Sequence, residues 1–204
     1  MKTKEYFAGT IVLKDKVIVG DPCYPEIENV AVIDNVLEGT YNCFVKKGNV
    51  DGDRVMSIEV KHQHLAKEPF YLMEGGFGVD SGQAGIYDYD YHQEYHQFDG
   101  WILANEGSKE QAWSNRIWVL MTHYDINNNH IEEDVDDFKG EQRDFAIMDN
   151  SALVSFSGLG DGGYDIEVAK EDGFIKAIRV VFIDEDNPYD EEDDCCEDDD
   201  EEED

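Results

Sequence analysis

Residues 164–183 read YDIEVAKEDGFIKAIRVVFI, and this stretch decides the fold that the sequence predicts. Two runs rich in Val and Ile, at 164–168 and 174–183, flank the tetrapeptide Lys-Glu-Asp-Gly at 170–173. An Asp-Gly pair between two extended segments is a strong signal of a β-hairpin. A further β-like run at 152–156 precedes the hairpin, so the sequence predicts three successive strands in this part of the chain.

The same strand pattern extends back towards residue 6. The runs at 6–13 and 17–19 predict one hairpin, and the runs at 39–46 and 54–60 predict a second. The best helix candidate is 108–121, where a capping box precedes apolar residues at helical spacing. We therefore expect a single, mainly β (α+β) domain of mixed or antiparallel sheet with one or two helices.

The chain carries a large negative charge that divides into two parts. Of its 204 residues 49 are acidic and 16 are Lys or Arg, which gives a formal net charge of −33 at pH 7. Residues 184–204 hold sixteen of the acids and no base, and they predict a disordered acidic tail after a globular domain at 1–183. This domain keeps a net charge of −17, well above the charge of about 2–8 that suffices to keep a small domain soluble.

Charge and composition exclude several classes of function. We do not expect direct binding of nucleic acid, because phosphate contacts require Lys and Arg, and an anionic membrane surface is disfavoured for the same reason. No apolar run reaches the length of about 18–20 residues that crosses a bilayer, and the first residues lack the apolar stretch of a signal peptide. Four cysteines without disulfide-scaffold spacing fit a reducing compartment. We expect a cytoplasmic protein with a basic protein partner, and the oligomeric state stays open.

Three turns carry the polar residues that are candidates for a functional site. They read GDPCY at 20–24, VDSGQAG at 79–85 and SGLGDGGY at 157–164. If the turns converge, one pocket would contain these ligand-binding candidates: Asp21, Cys23, Tyr24, Asp80, Ser81, Gln83, Asp88, Asp161 and Tyr164.

Two interpretations of these turns stay open. Neighbouring carboxylates can bind a divalent cation or serve as acid and base, and Ser81 or Cys23 is a candidate nucleophile. Alternatively, Asp and Ser side chains cap the turns, and Gly supplies the positive φ that tight turns need. The sequence leaves the catalytic residues, a metal site and the cofactor unknown, with a divalent cation as one option.

Two other patterns are similar to metal sites but depart from them. His92 and His96 stand four residues apart without the residue order of a zinc protease motif. Asp125 begins a calcium-like loop, in which His130 stands at the position of the usual Gly and Asp136 at that of the usual Glu. We expect solvated polar side chains at both places.

The turn motifs resemble those of an uncharacterised bacterial and phage family, a domain of unknown function. That family carries a Val-Asp-Ser-Gly-Gln motif, matched here at 79–83, and a Ser-Gly-x-Gly-Asp-Gly-x-Tyr motif before its closing hairpin, matched at 157–164. The Asp-Pro-Cys-Tyr turn at 21–24 is similar to a recurring feature of such proteins. The resemblance spans most of residues 15–183. It implies a fold and a candidate site, and it supplies no activity.

Two hypotheses from different functional classes follow. The leading one is an acidic binding or inhibitory protein, of the kind that phages encode, whose carboxylates imitate the phosphates of DNA and engage a basic, nucleic-acid-binding protein. The alternative is an enzyme or a small-ligand or metal-binding protein that uses a pocket among the three turns.

Overall fold

The computed structural model describes residues 2–24, 30–50, 52–65, 69–97, 109–132 and 138–186. Within these ranges the strands, in chain order, are β1 (Thr3–Leu13), β2 (Lys16–Gly20), β3 (Ala31–Asp34), β4 (Gly39–Asn49), β5 (Asp53–His62), β6 (Tyr71–Val79), β7 (Gln83–Asp88), β8 (Phe145–Met148), β9 (Ala152–Phe156), β10 (Gly162–Glu171) and β11 (Phe174–Val181). Two helices, α1 (Tyr89–Gln97) and α2 (Lys109–Thr122), lie between β7 and β8. The predicted tail from residue 187 onward, with Cys195 and Cys196, lies outside the described residues.

The strands build two sheets. The order in the six-stranded sheet, called here the large sheet, is β1-β4-β5-β11-β10-β6. The order in the five-stranded sheet, called the small sheet, is β3-β2-β7-β9-β8. Every ladder between neighbouring strands is antiparallel. The predicted fold, mainly β with antiparallel sheet and few helices, is therefore confirmed.

The hairpin predicted at 164–183 is formed by β10 and β11. Glu171 pairs with Phe174, so that Asp172 and Gly173 form a two-residue turn with φ of 54° and 85°. Positive φ at both positions matches the twist of the flanking strands, and Asp and Gly tolerate it. The hairpin predicted around residues 47–53 is formed by β4 and β5 and is likewise confirmed.

The hairpin predicted between the runs at 6–13 and 17–19 is wrong. β1 pairs with β4 in the large sheet, whereas β2 pairs with β3 and β7 in the small sheet. Leu13 and Val17 are both fully buried in the core between the sheets. The chain thus passes from one sheet to the other after Leu13. The alternation of apolar residues identifies the buried face of each strand, but it does not identify the partner strand.

The main core lies between the inner faces of the two sheets. Ile58 of the large sheet and Leu153 of the small sheet belong to it and have no solvent exposure. A second apolar layer lies on the other face of the small sheet, where Ile117 and Met121 of α2 pack with Tyr87 of β7. The described chain is therefore arranged as large sheet, small sheet and helices.

The outer face of the large sheet carries polar side chains, and neither described helix packs on it. Along β5, Ile58 and Val60 are buried, whereas Ser57, Glu59 and Lys61 are only partly buried and alternate with them. Both described helices pack on strands of the small sheet. In the described parts of the chain the outer face of the large sheet is therefore exposed, and acidic residues of its strands lie on it.

A buried ion-pair network holds β4 to the segment that leads into β8. Lys47 Nζ lies 2.6 Å from Asp53 Oδ2 and 2.8 Å from Asp144 Oδ2, and it donates to the carbonyl of Gln142 at 3.0 Å. Burial opposes the charge of Lys47, but the two carboxylates outweigh it and raise its pKa. The ammonium group therefore stays charged inside the protein because each of its protons has an acceptor.

The replacement Lys47→Met is expected to lower the free energy of unfolding by about 3 kcal/mol, because it leaves Asp144 without its cation in a poorly hydrated place. Urea denaturation measures this loss. The double replacement Lys47→Met/Asp144→Leu is expected to recover most of it. As a control, Lys16→Met removes the exposed pair with Asp34 and a cation–π contact at 5.1 Å from the Tyr89 ring centre, and it is expected to cost less than about 1 kcal/mol. Equal losses for the two single variants would contradict a structural role of the network.

Candidate functional site

The first two turns are joined by the carboxylate of Asp21, which is only 1% exposed. Its oxygens accept the backbone N–H groups of Cys23 at 2.7 Å and of Asp80 and Ser81 at 2.8 Å each, together with the Ser81 hydroxyl at 2.6 Å. Four donors to one carboxylate satisfy its acceptor capacity. Asp21 therefore fixes the turn after β2 against the turn after β6.

Tyr24 and Asp80 form the exposed rim of this junction. The Tyr24 hydroxyl donates to Asp80 Oδ2 at 2.5 Å. This hydrogen bond to a carboxylate raises the pKa of Tyr24 to about 12. The thiol of Cys23 is free and partly buried beside them.

The third turn lies beside the second one because β10 pairs with β6. Gly162 pairs with Val79, and the N–H of Ser157 donates to the carbonyl of Gly82 at 3.1 Å. The hydroxyl of Tyr164 lies 2.8 Å from the carbonyl oxygen of Ser157 and 2.7 Å from that of Gly160. Tyr164 therefore closes its own turn.

Gly158 is required in this third turn. It adopts a φ of 67°, and a Cβ at this position would lie 2.8 Å from Phe182 and 3.1 Å from the carbonyl oxygen of Val55. Together with the hydrogen bonds of Asp21 and Tyr164, this supports the interpretation that Asp, Ser and Gly shape the turns.

Gln83 and Asp88 occupy opposite ends of β7, about 17 Å apart at the usual rise of a strand. Gln83 is buried, and its side-chain Oε1 accepts no hydrogen bond from the described residues. The carboxylate of Asp88 accepts the backbone N–H groups of Lys14 at 2.9 Å and of Tyr91 at 3.2 Å. Asp88 is thus the N-cap of α1. Its predicted place among the three turns is wrong.

A concentration of acidic side chains lies on the outer face of the large sheet. A groove of about 940 Å³ runs there between the third turn and the residues that follow β11. We call it the acidic groove. Eight acidic and two basic residues line it: Glu5, Glu59, Asp161, Asp165, Glu167, Asp184, Glu185, Asp186, Lys46 and Arg179. Of the residues predicted from the turns, Asp161 and Tyr164 line this groove, whereas Asp80 and Gln83 do not.

Both basic residues of the acidic groove are already paired. Lys46 Nζ lies 2.5 Å from Glu185 Oε1, and this contact lowers the pKa of Glu185. Arg179 Nη2 lies 2.6 Å from Glu167 Oε2, and Arg179 Nη1 lies 3.8 Å from Glu59 Oε2. These bases neutralise acids of the groove and leave no free cation among its described lining residues.

The other five acids of the groove have no cation within 4.0 Å in the described parts of the chain: Glu5, Asp161, Asp165, Asp184 and Asp186. They come from β1, from the third turn and β10, and from the chain after β11. The groove therefore concentrates unneutralised negative charge in a concave surface, where the field is focused.

The two metal-like patterns give no metal site among the described residues, and the expectation of a solvated side chain is wrong for His92, which is buried. The carboxylate of Asp125 accepts the backbone N–H groups of Asn127 and Asn129 and the side-chain amide of Asn129, which closes a polar turn. These hydrogen bonds lower the pKa of Asp125. Asp136 and the side chain of His96 lie outside the described residues. In the part of the chain that is described, no group of three or more His, Cys, Asp or Glu side chains is arranged to hold a metal ion.

None of the described helices is long and apolar enough to cross a membrane. Comparisons of the chain with protein-family models, with curated proteins and with solved structures find no match. The functional argument therefore depends on the geometry and the charges of the site.

The role of Asp21 can be tested by the replacement Asp21→Asn. We expect it to lower the free energy of unfolding by about 2 kcal/mol, because the amide nitrogen cannot accept the N–H groups that now meet a carboxylate oxygen. Urea denaturation measures the change. Asp80→Asn, at the exposed rim, serves as the control and is expected to change stability by less than about 1 kcal/mol. If Asp21→Asn unfolds at the same urea concentration as the parent chain, Asp21 does not hold the two turns together.

Proposed function

We propose that this protein binds a basic, nucleic-acid-binding protein through the acidic groove and thereby blocks the surface on which that partner binds nucleic acid. The observation that carries the proposal is the group of five acids in one groove without a cationic partner in the described chain. Clustered carboxylates repel one another and oppose folding. A partner that supplies Lys or Arg side chains relieves this repulsion and gains the charge-assisted hydrogen bonds that carboxylates offer.

The proposed partner surface is one that normally binds phosphates. Such surfaces present several Lys and Arg side chains along a cleft. A row of carboxylates on a concave surface can form ion pairs with these same Lys and Arg side chains. A basic cleft of a nucleic-acid enzyme is therefore a suitable target for the acidic groove.

The acidic segment after the groove strengthens this proposal. Asp184, Glu185 and Asp186 line the groove, and the chain continues from there into residues 187–204, which hold thirteen acids and no base. This charge is tethered at the groove. Long-range attraction of a cationic partner raises the rate of association more than it slows dissociation. The groove and the segment at 187–204 therefore contribute to affinity in different ways.

The alternative function, an enzyme or small-ligand or metal-binding protein with a pocket among the three turns, has less support. Asp21 and Asp88 accept backbone N–H groups, and the hydroxyl of Tyr164 faces carbonyls of its own turn. These side chains are engaged in holding the fold. Of the acids predicted from the turns, Asp161 lies in the acidic groove and has no cation within 4.0 Å among the described residues.

The groove can be tested with octalysine as a minimal cationic probe, with fluorescence anisotropy as the measurement. The triple variant Asp161→Asn/Asp165→Asn/Asp184→Asn is expected to raise the Kd at least tenfold at 50 mM NaCl, or about 1.4 kcal/mol. Binding by the parent chain is expected to weaken steeply between 50 and 300 mM NaCl, because screening shortens the reach of the charges.

A matched control removes the same number of charges elsewhere. Asp15→Asn/Glu38→Gln/Glu132→Gln changes three exposed acids that do not line the groove. We expect at most a twofold change in Kd for this control. Equal weakening by the two triple variants, or binding by the parent chain that salt does not affect, would contradict a specific role of the groove.

The segment at 187–204 is expected to act on the association rate. A chain that ends at Asp186 should bind octalysine about tenfold more slowly at 50 mM NaCl, because steering by the removed charges is lost. Its dissociation rate should stay within twofold of that of the full chain. Stopped-flow fluorescence measures both rates. An unchanged association rate would show that these acids do not take part in capture of the probe.

A further inference from the structure

The acidic groove has an apolar component besides its carboxylates. Leu72 of β6 and Leu159 of the third turn both line it, and they are 65% and 53% exposed. Phe44 and Val181 add apolar surface to the same groove. A single exposed leucine is common on protein surfaces. Two of them at the rim of a charged groove form an apolar surface that an apolar side chain of a partner can cover.

The two leucines mark the ends of a path along β10. Leu72 pairs with Glu167 across the β6–β10 ladder, whereas Leu159 precedes the start of β10 at Gly162. Glu167 lies five positions after Gly162 along the strand, a distance of about 16 Å. Asp161 and Asp165 lie along this path. An extended segment of about six residues spans the same length.

Arg179 shows which cationic chemistry this face accommodates. Its guanidinium group forms ion pairs with Glu167 and Glu59 while it lies 4.0 Å from the centre of the Phe70 ring. The two carboxylates pair with the charged N–H groups of Arg179, and the apolar ring of Phe70 contacts its guanidinium group at the same time. A cation with apolar surface beside it therefore matches the large sheet better than an isolated positive charge.

We infer that the acidic groove binds an extended, amphipathic basic segment of the partner protein, about six residues long, in which apolar side chains flank several Lys or Arg residues. The inference rests on the proposed function. The cations meet Asp161 and Asp165, and the flanking apolar side chains cover Leu72 and Leu159. A purely cationic segment would use the carboxylates alone and leave the leucines in contact with water.

Two peptides of equal charge test this inference: Leu-Lys-Arg-Lys-Arg-Leu and Ser-Lys-Arg-Lys-Arg-Ser, both with blocked ends. We expect the leucine peptide to bind the full chain about tenfold more tightly, because its end residues bury apolar surface. This ratio should be similar at 50 and 300 mM NaCl, since salt screens the charges and not the apolar contacts.

The protein variant Leu72→Ser/Leu159→Ser should remove the preference for the leucine peptide and keep the affinity for the serine peptide and its salt dependence. The matched control is Val119→Ser/Phe174→Ser, which changes two apolar residues of similar exposure that do not line the groove. The control should keep the tenfold preference. Thermal denaturation of both variants checks that the fold is retained.

The outcomes separate this inference from the proposed function. If both peptides bind with equal affinity and strong salt dependence, the groove binds cations and the inference about apolar contacts is wrong. A preference that survives Leu72→Ser/Leu159→Ser also overturns it. If neither peptide binds at 50 mM NaCl, the proposed function itself is contradicted.

Discussion

The packing of two apolar sheet faces against each other is the constraint on which the rest of the structure depends. Residues such as Ile58 and Leu153 lose all contact with water there, and each strand has to turn its alternate residues outward. α2 then covers the outer face of the small sheet with Ile117 and Met121. The large sheet keeps its outer face for polar side chains. The acidic groove is thus a consequence of which sheet the described helices cover.

This constraint also divides the acids of the domain into two groups. Asp21, Asp88 and Asp144 are largely buried, and each has partners: backbone N–H groups for the first two and Lys47 for the third. A buried carboxylate without such partners would strongly destabilise the folded state. Because these three acids have their partners, they hold turns and a helix end in place. The five acids of the groove that have no cation among the described residues are exposed to water, where no such requirement applies, and their charge stays available for a partner.

Local patterns account for what could be predicted from the sequence. The hairpin at β10–β11 depends on Asp172 and Gly173, and α2 depends on apolar spacing within one segment. The pairing of β1 could not be predicted in this way, since alternation in the run at 6–13 defines a face and leaves the partner strand open. The prediction that Asp88 lies among the three turns is wrong for a related reason. The alternation of Tyr and Asp around it is typical of a strand, yet α1 begins directly after it.

The acidic groove lay beyond prediction because its residues are brought together by pairing between distant strands. Glu5, Glu59 and Asp165 belong to β1, β5 and β10, which lie in one sheet with β4 and β11 between them, so only the order of the large sheet brings these acids to one groove. The one partial signal was the alternation itself: Glu59 and Glu167 stand between buried residues of their strands and must face outward. Asp161 was predicted as part of a turn, and it is the residue at which the turn and the groove meet.

Charge repulsion links the stability of this fold to its proposed partner. Five acids without a nearby cation in one groove, followed by thirteen more at 187–204, raise the free energy of the compact state by mutual repulsion. A cationic segment that enters the groove removes part of this repulsion in the folded state. Binding to the folded chain then stabilises it by an amount that grows with the logarithm of the ligand concentration relative to the Kd. The same carboxylates that lower the stability of the isolated protein thus provide free energy for binding of its partner. The leucines at the rim add a contribution to binding that does not depend on charge.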